Sequence, residues 1–154
     1  MDALQQLCDE IYYVCVARHL LLIDKYGRPI LASGANPDVD QTSLASLAAA
    51  GIAASQAMVQ LSGGNALSFL SHETDNVCLL LHKVGGAILL MVLNDNQSLG
   101  WAKFQVRKRK DLLLESLTAM EKATTNAESP LNNASDEEIE GLFYGTHQSP
   151  NPRN

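Results

Sequence analysis

The 154-residue chain lacks a basic surplus: 11 Lys and Arg stand against 17 Asp and Glu, a net charge of −6. Nonspecific grip on nucleic acid needs a cationic face to displace counterions, so this balance argues against a nucleic-acid partner. There is also no unbroken apolar run of roughly 18 residues, the length a membrane span requires, which predicts no integral membrane association. The first residues, MDALQQLCDE, are acidic where a secretory leader carries a basic region, so no signal peptide is expected. Cysteine is scarce and odd in number (Cys8, Cys15, Cys78), with no C-x-x-C pair. That usage fits a reducing, cytoplasmic compartment rather than a disulfide scaffold.

The signatures of chemistry are missing as well. The four histidines are scattered and form no H-x-x-x-H or Cys/His ligand spacing, so neither a metal nor a cofactor is expected. There is no G-x-S-x-G elbow and no G-x-x-x-x-G-K-[ST] loop. Acidic residues gather toward the C-terminus instead of pairing within apolar stretches, which leaves no acid/base dyad. These absences predict a protein without an active site of its own. With 46% hydrophobic and 18% charged residues, the chain reads as one globular domain with a tail.

What is present begins with LLLIDKYGRPILASG, two apolar runs around a short Gly-containing turn. This is a β-hairpin signal, with strands expected over 18–24 and 29–33 and the hairpin expected to set the centre of the sheet. Before it, Leu4, Leu7, Cys8, Ile11 and Cys15 recur at three- and four-residue steps and predict a helix over 2–16, with both cysteines packed as small hydrophobes. After it, a second helix is expected over 40–61, capped by Asp40 or Thr42. One of its faces carries Leu44, Ala48, Gly51, Ser55 and Met58; the flanking face carries Leu47, Ala50, Ala54, Ala57 and Leu61. No Lys, Arg, Asp or Glu occurs between Gln41 and His72. Two readings stand open: close packing on the protein's own sheet, or a helix–helix contact in a dimer that covers both sides.

Three further strands are expected over 66–72, 77–83 and 87–94, joined by short turns into an antiparallel meander. The strand at 66–72, with polar Ser68, Ser71 and His72, reads as nearer an edge, and an open edge invites pairing with a second chain. A last helix over 99–124 carries the stripe Leu99, Ala102, Val106, Leu113, Leu117 and Met120. Its basic residues 103–110 read as a solvated face, with an Arg107–Asp111 pair at i,i+4. Trp101 fits either a core plug or an exposed anchor. Residues 125–134 read as a flexible linker. Within the tail, 135–154, Ser135 to Glu138 forms a capping box ahead of Ile139, Leu142 and Phe143, a short acidic amphipathic helix. That segment docks either on its own domain or in a partner's groove.

The order helix, two strands, helix, three strands, helix over residues 2–124 resembles the Roadblock/dynein light chain family. The likeness is carried by LLLIDKYGRPILASG, TSLASLAAAGIAASQAM, the His72 strand and AILLMVLNDNQSLG. Within the family the chain is most similar to the bacterial MglB-type regulators. The resemblance implies an α/β (α+β) fold of the type αββαβββα, a five-stranded antiparallel sheet with helices on both faces. It implies a homodimer joined through edge strands and small-residue helices, with Leu44, Ala48, Gly51, Ser55, Met58, Ser68 and Leu70 at the interface. It further implies a small Ras-like GTPase (MglA-like) as partner, whose hydrolysis is stimulated without an arginine finger, and which the tail touches through Glu137, Glu138, Ile139, Leu142 and Phe143. The alternative is a non-catalytic Roadblock scaffold that positions a GTPase or motor subunit.

Overall fold

The computed structural model describes residues 2–34, 36–96 and 98–128. The expected linker beyond residue 128 and the tail, with Glu137, Glu138, Ile139, Leu142 and Phe143, lie outside the described residues. The elements run α1 (Asp2–Val14), β1 (His19–Ile23), β2 (Pro29–Ser33), α2 (Gln41–Leu61), β3 (Phe69–Glu73), β4 (Cys78–Val84), β5 (Ala87–Leu93), α3 (Leu99–Lys108) and α4 (Lys110–Glu128). The five strands form one antiparallel sheet in the order β2-β1-β5-β4-β3.

The strand order corrects one expectation. The hairpin does not set the centre of the sheet; β5 does, flanked by β1 and β4, and β2 is an edge. An all-apolar strand such as β5, AILLMVL, can be buried on both faces only between two neighbours. Pro29 opens the edge strand β2, where its missing N–H costs no ladder bond. The turn between β1 and β2 is held by Asp24, whose Oδ1 accepts from the backbone N–H groups of Tyr26 (2.8 Å) and Arg28 (3.0 Å).

Side-chain alternation divides the core into two layers. Leu21, Ile23, Leu81, Ile88 and Leu90 face α2 and meet its Ala45, Ala48 and Ile52. The alternate residues Leu20, Leu22, Leu80, Leu89, Met91 and Leu93 are fully buried on the opposite face, the side of α1, where Ser33 of β2 donates to Asp9 (2.6 Å). Cys8 and Cys15 are buried with Leu4 and Ile11, as the helical spacing predicts. Asp40, not Thr42, caps α2: its carboxylate accepts from the Ser43 N–H at 3.1 Å and from the Ser43 hydroxyl at 2.7 Å.

The last helix is two helices. Arg109 leaves helical geometry (φ −105°, ψ 5°) between α3 and α4, and its guanidinium reaches Gln105 and, at 3.1 Å, Glu10 of α1. The break removes the i,i+4 geometry that Arg107 and Asp111 would need, and Arg107 lies over the ring of Phe69 instead. Helix α4 continues to Glu128, into the stretch expected as linker; the compact unit that holds the sheet ends within it, at Leu117.

Candidate interaction surface

Helix α2 exposes large apolar side chains on its outer side. Its inner side is small and flat, since Ala45, Ala48 and Ile52 let the helix lie close on the sheet. Its outer side is a stripe at three- and four-residue steps: Leu47, Ala50, Ala54, Met58 and Leu61. Leu47 is 70% exposed, Met58 62% and Leu61 89%. By length and composition this 21-residue helix is also apolar enough to cross a membrane. Interspersed Ser and Gln residues break the apolar run in the sequence without making the helix polar.

Gly51 is half-buried at the margin of this stripe, and a Cβ added there meets nothing within 4 Å. No contact within the chain therefore requires glycine at this position, although glycine costs a helix interior about 1 kcal/mol relative to alanine. Leu44 and Ser55 are half-buried beside it, and Leu44 packs against the core cluster. Ala48, by contrast, is buried in that cluster, on the sheet side of the helix. The apolar residues that reach outward belong mainly to the flanking face, a rotation that periodicity alone leaves undecided because both faces carry small residues.

The second feature is the strand edge. β3 lies at the end of the sheet, pairing only with β4, so its outer N–H and C=O groups face away from the sheet. The strand begins at Phe69, three residues later than expected, because Gln56 of α2 holds the preceding chain. Its side-chain carbonyl accepts from the Leu67 N–H (2.7 Å) and its amide donates to the Asn65 carbonyl (3.1 Å). Ser68 is exposed just ahead of the strand, and its carbonyl accepts from the backbone of Lys83 and from His82 Nδ1 (3.0 Å). Leu70 turns inward toward the α2 layer and is half-buried there. The structure thus brings α2 and β3 together through Gln56 and Leu70. A glutamine in an alanine-rich helix gives no sequence signal of this role.

His72 and His82 do not meet: His72 pairs with Leu79, His82 with Phe69, and the two rings lie on opposite faces of the sheet. Burial holds the His82 imidazole below its usual pKa despite the Ser68 carbonyl, and Lys110 and Arg107 push it the same way. Burial likewise raises the Cys8 thiol to about 12 and Cys15 to about 11. Among the described residues no group of three or more His, Cys, Asp or Glu side chains is placed to hold a metal. A cleft of about 510 Å³ opens beside α2, floored by Ala53, Ala57 and Ile88 and rimmed by Lys25 and Lys83.

Residues 4–94, which span α1 through β5 and include both α2 and β3, match the Roadblock/LC7 domain. The chain belongs to the Roadblock/LC7 family. Solved structures of similar architecture include MglB of Myxococcus xanthus, with TM-score 0.70 and 29% identity over 75% of this chain and 95% of that one. The gliding protein MglB of Thermus thermophilus gives TM-score 0.66 and 25% identity over 74% and 87% of the respective chains. A Roadblock/LC7 domain from Streptomyces avermitilis shares the fold, with TM-score 0.56 and 19% identity over 69% and 97%. A comparison with curated proteins finds no match. The Roadblock span ends at Asn94, so the basic helix α3 lies beyond it.

Proposed function

We propose that this Roadblock protein is a homodimeric regulator of a small Ras-like GTPase, MglA-like in kind, and that it stimulates GTP hydrolysis without an active site of its own. The observation that carries the reading is the uncharged outer stripe of α2 beside the open edge of β3, in a chain that resembles MglB along its domain.

The energetics explain why both features are needed. Burying Leu47, Met58 and Leu61 from their present exposure contributes roughly 5 kcal/mol per protomer. A symmetric contact doubles that to about 10 kcal/mol, comparable to the roughly 4–15 kcal/mol lost in association. The stripe alone leaves little surplus. Edge-to-edge pairing of β3 supplies the remainder and fixes the register, because unpaired ladder groups gain partners. Such a dimer acts on a GTPase by positioning: phosphoryl transfer is accelerated mainly by orienting water and stabilising charge, so a surface that orders the GTPase's switch segments suffices. The acidic segment with Glu137, Glu138, Ile139, Leu142 and Phe143 is assigned to a supporting contact with the same partner.

The test is multiple-turnover GTP hydrolysis by the Ras-like GTPase with substoichiometric amounts of this protein. The turnover rate is expected to rise with added protein and to lose that dependence when the dimer is broken. Binding with an unchanged rate would replace the activator by the scaffold reading, and no binding would remove both. Removal of residues 135–154 is expected to weaken the affinity measured by calorimetry.

A further inference from the structure

Nearly half of the chain's cations gather on α3 and just beyond its end. Of the 11 Lys and Arg residues, Lys103, Arg107, Lys108, Arg109 and Lys110 fall within one short stretch, and α3 contains no Asp or Glu. Arg109 is engaged by Gln105 and Glu10. Among the described residues, the other four have no carboxylate within ion-pair distance. Lys103 Nζ and Arg107 Cζ lie 5.8 and 4.8 Å from the ring centre of Phe69, whose ring also stacks on His82 at 4.3 Å. The two cations are therefore held in place along the flank of β3.

On the same helix Trp101 and Phe104 are 52% and 55% exposed, with ring centres 6.0 Å apart. The Trp101 indole N–H donates to the Val14 carbonyl at 2.9 Å, which fixes the ring against the end of α1. There Tyr13 and Val16 are exposed as well, and Val16 takes φ 52°, a left-handed conformation that β-branched residues rarely adopt. Aromatic rings ordered in advance and bordered by cations are the usual anchors of protein recognition, since little side-chain freedom remains to be lost.

We infer that the α1–α3 surface docks an acidic polypeptide segment, its apolar side chains seated on Trp101 and Phe104 and its carboxylates paired with Lys103, Arg107 and Lys108. Lys108 follows Trp101 and Phe104 at seven and four residues, on their stripe, while Lys103 and Arg107 line the next. A narrow peptide can meet this ridge alone. A broad polyanion such as a bilayer or nucleic acid would also meet Glu10 of α1 and a net charge of −6. The surface lies across the sheet from α2 and makes no use of the α2 stripe, although Lys103 and Arg107 flank β3, whose outer edge the dimer reading pairs.

Trp101 is the only tryptophan, so its emission reports docking directly. The probe is a short synthetic peptide of Glu with Leu and Phe at three- and four-residue spacing and no Trp, added to the full chain. Expected are a saturable blue shift and an affinity that falls about tenfold or more in the K103Q/R107Q/K108Q variant and on raising salt from about 50 to about 300 mM. Phe104→Ala is expected to weaken binding by a similar factor with an unchanged far-UV spectrum, and a peptide with Lys in place of Glu is expected not to bind. The inference is overturned by no saturable change, by unaltered affinity in the triple variant, or by tighter binding to phosphatidylglycerol vesicles or single-stranded DNA assayed in parallel.

Discussion

Substitution of Gly51 tests the proposed dimer separately from the fold. A Cβ at this position meets nothing within 4 Å inside the chain. Within one protomer, Gly51→Ala therefore acts only through helix propensity and is expected to stabilise α2 by about 1 kcal/mol. For a domain of this size that corresponds to a rise of about 4 °C in the unfolding midpoint of the monomeric form. In a dimer whose α2 helices approach at Gly51, the same methyl group enters a packed contact twice. Overpacking costs about 1–3 kcal/mol per site. Two sites at the low end total about 2 kcal/mol, a dissociation constant roughly 30-fold higher. The two effects have opposite signs, which a general loss of folding cannot imitate. Gly51→Arg adds the desolvation of two guanidinium groups and is expected to leave only monomer at micromolar concentration. Sedimentation equilibrium over a dilution series, paired with thermal unfolding of each variant, measures both quantities. A Gly51→Ala dimer as tight as wild type, or a Gly51→Arg protein that remains dimeric, would show that the helices do not meet there and would move the interface off this face.

Gly34→Ala is expected to behave differently: Gly34 has φ 74° and its added Cβ would lie 2.5 Å from the Tyr12 ring, so the urea midpoint should drop by the equivalent of about 2–3 kcal/mol with an unchanged m-value. An unaltered midpoint would refute the close approach of α1 to the chain after β2. Cys8 and Cys15, with thiols raised to about 12 and about 11, should be roughly one part in ten thousand and one part in a thousand ionised at pH 8. Both should resist Ellman's reagent until guanidinium exposes them, and rapid stoichiometric labelling of the native chain would contradict their burial. His82 is held neutral in the fold below its ordinary pKa, so the unfolded chain binds the extra proton and stability is lost as pH falls below about 6.5. The wild-type urea midpoint should therefore decline more steeply between pH 7 and 5 than that of His82→Gln; parallel declines would remove His82 from the account.

Much of the fold was legible because each strand signal was local. Two apolar runs around Asp24–Gly27 dictate a hairpin whatever surrounds them, and the Gly85-Gly86 turn joins β4 to β5 in the same way. Strand order was less accessible, since within 29–33 only Pro29 hints at an edge, and the edge position of β2 follows from β5 pairing with β1 more than sixty residues away. The candidate site was half legible for a related reason. The absence of charge between Gln41 and His72 singles out α2 as an unusual surface helix, but an alanine-rich helix has almost no contrast between faces. The choice between Ala48 and Leu47 as the outward residue is made by the sheet, where Leu21, Leu81 and Leu90 accept Ala45, Ala48 and Ile52. The α3 surface shows the opposite limit. Its cations were visible in the sequence as a solvated helix face, yet their arrangement depends on Phe69, more than thirty residues earlier, and on a carbonyl at the end of α1 that fixes Trp101. Such long-range partners turn a basic helix into an ordered surface. The same reasoning keeps the two surfaces distinct: the α2 stripe is apolar and uncharged, suited to a copy of itself, while the α3 ridge is cationic and would repel its own copy, so it requires a partner of the opposite sign.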